Sequence, residues 1–131
     1  MDLSLDHPGE FLFVRRTGKH SVTVMDREIT ASFLLAPDRI VENWKAGDDP
    51  KALQPEHAEA FFELAPELVL LGTGERQSFP PAAFLASFLR QGVGIEVMDN
   101  AAAARTYDLL AGEGRRVVVG FMLPAAAAST D

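Results

Sequence analysis

Gly72 and Gly74 flank Thr73 just after the apolar run at 68–71 and ahead of a helix signal. Backbone amides at such a turn can cradle an anion. The carboxyl end of a strand in an open α/β sheet is where ligands often bind. Arg76 would bring positive charge to the loop. Asp99 follows Gly72 by 27 residues, near where a dinucleotide fold keeps its ribose-binding acid. The rest of that pattern is missing. Gln77 takes the place of the third glycine, Glu75 would face the phosphates, and Pro80 and Pro81 delay the helix. The phosphate-loop lysine motif is missing too.

What remains is a candidate site for a small anion or metabolite, made of Gly72, Thr73, Gly74, Arg76, Asp99 and Arg105. An enzymatic version would use Asp99 as acid or base and Arg105 as its electrostatic partner. The plain alternative is a glycine-allowed turn at the sheet edge. Arg105 would then pair with Asp99 or Asp108, and Tyr107 would pack in the core with its hydroxyl bonded.

Other chemistry has less support. None of the six serines sits in a Gly-x-Ser-x-Gly elbow. His7, His20 and His57 are scattered without ligand spacing, and Asp48, Asp49 and Pro50 lack the alternating oxygen pattern of a calcium loop. There is no cysteine, which excludes disulfides, thiol catalysis and thiolate metal sites and fits a reducing compartment. No metal and no cofactor is expected. Trp44, the single tryptophan, is a candidate partner-binding anchor, with a core-edge position as its plain alternative.

These residues need a scaffold. A chain of 131 residues fits one domain. Twelve basic against nineteen acidic residues give a net charge of −7, which repels phosphate backbones, so nucleic acid is not an expected partner. Asp2 and Asp6 stand where a signal peptide would be positive. The longest uncharged stretch, 117–130, is shorter than the roughly 20 residues a bilayer needs. The expectation is a cytoplasmic protein with no membrane insertion.

The first third predicts antiparallel strands. Residues 11–14 and 21–24 are short strands around a Gly18 turn. Ile29, Ala31, Phe33 and Leu35 alternate with period two, the mark of one half-buried strand. Pro37 and Asp38 break it, and Ile40 and Val41 follow. The second half changes period. Ala58, Phe61, Phe62 and Ala65 share a helical face after Pro55. The segments 67–71, 95–98 and 116–123 are strands. Between them lie a helix capped by Ser78, with a stripe of Phe84, Leu85, Phe88 and Leu89, and a helix capped by Asp99 or Asn100 and ended by Gly112. Strand–helix–strand units make neighbouring strands parallel. The fold class is therefore α/β. A three-layer single domain at 1–124 is expected, with a mixed central sheet, βαβ crossovers and an N-terminal antiparallel strand meander. A frayed alanine-rich tail at 125–131 would follow.

Several runs carry a family resemblance: Leu70, Leu71, Gly72, Thr73, Gly74, Glu75 and Arg76; the stretch from Gly94 to Asp99; Ala103 to Tyr107; and Leu110 to Arg115. With Ile29, Leu34 to Pro37 and Trp44, their order and spacing resemble a family of small proteins of unknown function. That family includes mitochondrial complex I assembly factor 3 and an adipogenesis-associated relative. The likeness spans about Leu12 to Pro124. It implies a compact three-layer fold with a mixed sheet and no established enzyme activity. It also implies a role as a protein-interaction or assembly-factor-like module, since the mitochondrial member binds other assembly factors and a nascent subunit. Asn100 stands where the resemblance leads one to expect threonine, and Asp108 where it leads one to expect asparagine.

Overall fold

The computed structural model describes residues 9–124. The alanine-rich tail lies outside them. Strands β1 (Val14–Thr17), β2 (Val22–Val24) and β3 (Arg27–Ile29) form an antiparallel three-stranded sheet. A five-stranded sheet contains β4 (Phe33–Ala36), β5 (Arg39–Val41), β6 (Leu68–Gly72), β7 (Gly94–Met98) and β8 (Val117–Phe121), in the order β5-β4-β8-β6-β7. β8, β6 and β7 run parallel, while β4 and β5 run antiparallel. The central sheet is thus mixed, as expected.

The period-two run from Ile29 to Leu35 is two strands in two sheets, not one. β3 ends at Ile29 and β4 begins at Phe33. Ser32 makes the crossing. Its hydroxyl donates to the Gly47 carbonyl at 2.7 Å and accepts from the Leu123 N–H at 3.0 Å. Alternation alone cannot see this, because the apolar residues on both sides of the break enter one core. All four residues of β4 are buried, as a central strand covered on both faces requires.

Helices α2 (Ala82–Arg90) and α3 (Asn100–Gly112) lie on opposite faces of the sheet. Phe84 and Phe88 of α2 pack with Val69, Leu71 and Val118. Ala103 and Tyr107 of α3 pack with Leu70, Val117 and Val119, which point to the other face. The β1–β3 sheet covers that second face too, through Val14, Val22 and Val24. This is the three-layer arrangement. The helix expected from Ala58 to Ala65 is shorter. It is a 3-10 turn, Pro55–Ala58, followed by α1 (Glu59–Phe62). Ala65 takes φ 51° and is exposed, so the break falls one residue before Pro66, where the α region is sterically disfavoured. Phe61 still anchors this segment. It stacks edge-on against Trp44 and Phe88 and reaches β8 where Gly120 leaves room; a Cβ there would lie 2.6 Å from the Phe61 ring.

Other helix ends also differ from expectation. α2 starts at Pro81 with no side-chain cap, and Ser78 instead donates its N–H to Thr73. Leu89 is 72% exposed and leaves the buried stripe. α3 does end at Gly112, as expected, and the left-handed residue that follows it is Gly114.

Candidate functional site

Ligands in an open sheet bind at the carboxyl ends of the strands, where the connections diverge to opposite faces. Here they diverge at the neighbouring strands β6 and β7. The chain leaves β6 toward α2 on one face and leaves β7 toward α3 on the other. The expected loop of Gly72, Thr73 and Gly74 stands at this point, at the end of β6.

The crevice is filled by the protein itself. Asn100, first residue of α3, is 4% exposed. Its Oδ1 accepts from the Gly74 N–H at 3.1 Å, and its Nδ2 donates to the Met122 carbonyl at 3.0 Å. Its backbone N–H donates to the Gly74 carbonyl at 2.8 Å. The Met122 N–H donates to the Gly72 carbonyl at 2.9 Å. One amide side chain therefore ties the ends of β6 and β8 to the start of α3. Gly72 is glycine because a Cβ would collide with Asn100 Oδ1 and lie 3.2 Å from Phe121. Its φ is not positive, so contact rather than conformation selects it. Gly74 does need its φ of 104°.

Thr73 turns inward to close the loop. It is 8% exposed, and its hydroxyl donates to the Arg76 carbonyl at 2.6 Å while accepting from the Ser78 N–H. Asp99 caps α3 by accepting from the Ala102 N–H at 2.8 Å. Its negative charge already answers the positive end of that helix. Arg76 and Arg105 are exposed, and Arg105 pairs with neither Asp99 nor Asp108. A hollow of about 270 Å³ lies outside the loop, with Thr17, Gly74, Glu75, Asp99 and Asn100 on its walls. Its charged groups are two carboxylates, and neither arginine lines it. The structure brings Gly72, Thr73, Gly74 and Asp99 together and leaves Arg76 and Arg105 apart from the hollow.

Tyr107 and Asp108 hold the N-terminal segment. Buried Tyr107 donates its hydroxyl to the Leu12 carbonyl at 2.6 Å, and burial pushes the phenol well above its ordinary pKa. Asp108 accepts from the Val14 N–H at 2.8 Å. Burial raises the Asp108 pKa, and the bond from Val14 partly opposes that rise.

Trp44 is 5% exposed. Its indole N–H donates to the His57 carbonyl at 3.1 Å, and its ring meets Phe61 at 84°. The edge left open floors a groove of about 450 Å³ between the splayed ends of β4 and β5. Ala31, Ser32, Asn43 and Leu123 also line it, and its charged groups are Lys45, Glu42 and Asp48. That volume lies in the range of small-molecule and side-chain pockets. Sequence reading named Trp44 but missed Ser32, whose two bonds shape the groove, and Asn100. The sequence signals for Asn100 were its place as an alternative helix cap and its difference from the threonine that the resemblance leads one to expect.

Residues 14–122 match the family model described as "Protein of unknown function (DUF498/DUF598)". The chain belongs to that family. A Xanthomonas campestris member of known solution structure is 41% identical. The match covers 99% of this chain and 98% of that one, with a TM-score of 0.82. The Xenopus tropicalis "NADH dehydrogenase [ubiquinone] 1 alpha subcomplex assembly factor 3" is 26% identical over 117 residues. That is 88% of this chain and 62% of the relative, so the DUF498/DUF598 chain spans less than two-thirds of its length. The "13 kDa major membrane protein" of Francisella tularensis is 29% identical over 90 residues, 69% of this chain and 73% of that one. In the present DUF498/DUF598 domain, no helix among the described residues is long and apolar enough to cross a membrane.

Proposed function

We propose that this DUF498/DUF598 domain is a non-enzymatic module that binds another protein during assembly of a larger complex. The observation that carries the reading is the plugged carboxyl end of β6. The place where the fold would take a substrate is occupied by Asn100. The assembly-factor relative supports the same reading. The groove beside Trp44 is the proposed contact, with Trp44 and Leu123 as an apolar floor and Asn43, Lys45, Glu42 and Asp48 at the rim. A side chain from a partner would seat there and leave the charged rim to set orientation. The cysteine-free chain suits a reducing compartment, and we place the interaction in the cytoplasm.

The test is native purification from the source cells with intact-mass analysis of everything that co-elutes, beside an Asn43→Glu, Lys45→Glu variant. A partner protein in near-equal amount, lost from the variant, supports the reading. A small molecule released on denaturation, with no partner, overturns it and returns attention to the hollow beside Gly74. Fractionation of the same cells checks the compartment.

A further inference from the structure

β1 carries a β-bulge. Val14 pairs with Val24 and Arg16 with Thr23, so β1 makes two steps where β2 makes one. In a regular strand, successive side chains alternate between core and solvent, and one of Arg15 and Arg16 would turn inward. With the extra residue, Val14 stays buried and both arginines are exposed. Bulges are frequent beside functional sites, where they re-aim a side chain.

A third arginine stands beside them. Ala101, Arg105, Asp108 and Gly112 lie within about 60° of one another around α3. Three of the four meet the β1 side. Gly112 faces the Phe11 ring, Asp108 accepts from the Val14 N–H, and Ala101 lines one hollow with Thr17 and Gly18. α3 therefore runs back along β1. Arg105, between Ala101 and Asp108, comes level with Arg15 and Arg16, and it is exposed. Lys19 adds an exposed charge at the hairpin turn. None of the three arginines pairs with a carboxylate among the described residues. The carboxylates that border the seam are otherwise placed. Asp108 is held by the Val14 N–H, Glu28 lies across β2 from Arg16, and Glu75 and Asp99 lie beyond Thr17 around the hollow.

We propose that this seam between β1 and α3 binds a phosphate group through Arg15, Arg16 and Arg105. Like charges gathered without a partner repel one another, and a bound anion relieves that repulsion. A guanidinium group is a planar fork of donors that fits two oxygens at once. A phosphate monoester carries three free oxygens and nearly two negative charges, which answers three forks. A carboxylate has two oxygens and one charge and leaves an arginine unanswered. The net charge of −7 disfavours a phosphate chain laid across the surface. A single phosphate meets chiefly the charges within a screening length of about 8 Å. The arginines are open to solvent, so the site admits a phosphate on a small molecule or on a lipid headgroup alike.

Titration of the isotope-labelled chain with inorganic phosphate at low salt, followed by amide NMR shifts, tests the site. Saturable shifts at Arg15, Arg16 and Arg105 are expected, and acetate at equal ionic strength should not reproduce them. Co-sedimentation with phosphatidylcholine vesicles, with and without phosphatidic acid, is the second arm. Binding of inorganic phosphate without vesicle binding assigns a soluble ligand. Sedimentation that requires phosphatidic acid assigns a headgroup, and either result supports the site. Arg15→Gln, Arg16→Gln and Arg105→Gln should each weaken the response about tenfold. Arg90→Gln, at an exposed arginine on α2, should leave it unchanged. All four side chains are exposed, and thermal melting confirms that each variant is folded. No binding in either arm overturns the proposal. So does acetate that binds as well as phosphate, or a set of seam variants that bind like the parent.

Discussion

The plugged crevice predicts an energetic coupling between Gly72 and Asn100. Replacing Asn100 with alanine leaves the Gly74 N–H and the Met122 carbonyl without the partners now at 3.1 and 3.0 Å. Each buried polar group left unpaired costs about 1–3 kcal/mol, so Asn100→Ala should cost about 2–5 kcal/mol. Gly72→Ala reaches the same bonds from the other side. Its new methyl group would occupy the place of Asn100 Oδ1, so the amide must leave and both bonds fail with it. The cost should be about as large, with some steric strain added. Once Asn100 is alanine, the space is empty. The remaining neighbours of the new methyl are Phe121 at 3.2 Å and Ala103 at 3.3 Å, which can give by a few tenths of an ångström. The second substitution should then cost about 1 kcal/mol or less. Urea denaturation of the four proteins measures the cycle. The expected coupling is at least about 1.5 kcal/mol in the direction of rescue. Additivity within about 0.5 kcal/mol would refute the claim that one amide closes the crevice.

Asp108→Asn keeps an oxygen for the Val14 N–H and removes a charge that burial disfavours. The folded-state pKa of Asp108 is raised, so its favourable contribution is present at acidic pH and lost as pH rises through the raised value. The asparagine variant should therefore be the more stable protein at neutral pH. Its advantage should shrink as the pH falls below the ordinary carboxylate range, as denaturation at several pH values would show; an unchanged gap would refute the assignment. Tyr107→Phe leaves the Leu12 carbonyl unpaired in the core and should cost about 1–3 kcal/mol by the same measurement. Arg105→Ala should stay within about 0.5 kcal/mol of the parent, since this exposed side chain makes no ion pair among the described residues.

The α/β half of the fold was legible because its signals are local. Leu68 to Leu71 form an uninterrupted apolar run, and Asp99 makes the cap its position implies. The N-terminal half was read less well where one chain segment serves two sheets. Ile29 and Phe33 both face the same core cluster, so their spacing carries no mark of the break between them. Leu89 misled for a related reason. Its spacing from Phe84, Leu85 and Phe88 is helical, but α2 has a buried stripe only wide enough for part of that set. At the site, sequence located the glycine loop but could not tell an open cradle from a closed one. That difference rests on Asn100, which lies 26 positions from Gly74 and meets it only after β7 and the start of α3 are in place.

A single amide that joins β6, β8 and α3 has a consequence for where this domain can act. Widening the crevice to admit a ligand would break the Gly74 and Met122 bonds together, because both end on the same side chain. The Thr73 hydroxyl would also have to release the Arg76 carbonyl for the loop to turn outward. Each loss carries the cost of an unpaired buried group, and a small anion facing Glu75 and Asp99 has little with which to offset it. The proposed groove at Trp44 would carry no such penalty, because Trp44 already has its indole bond to the His57 carbonyl and none of the Asn100 bonds end there. Recognition there would leave the closed loop intact, whereas recognition at the glycine loop would take apart bonds that hold the sheet to its helix.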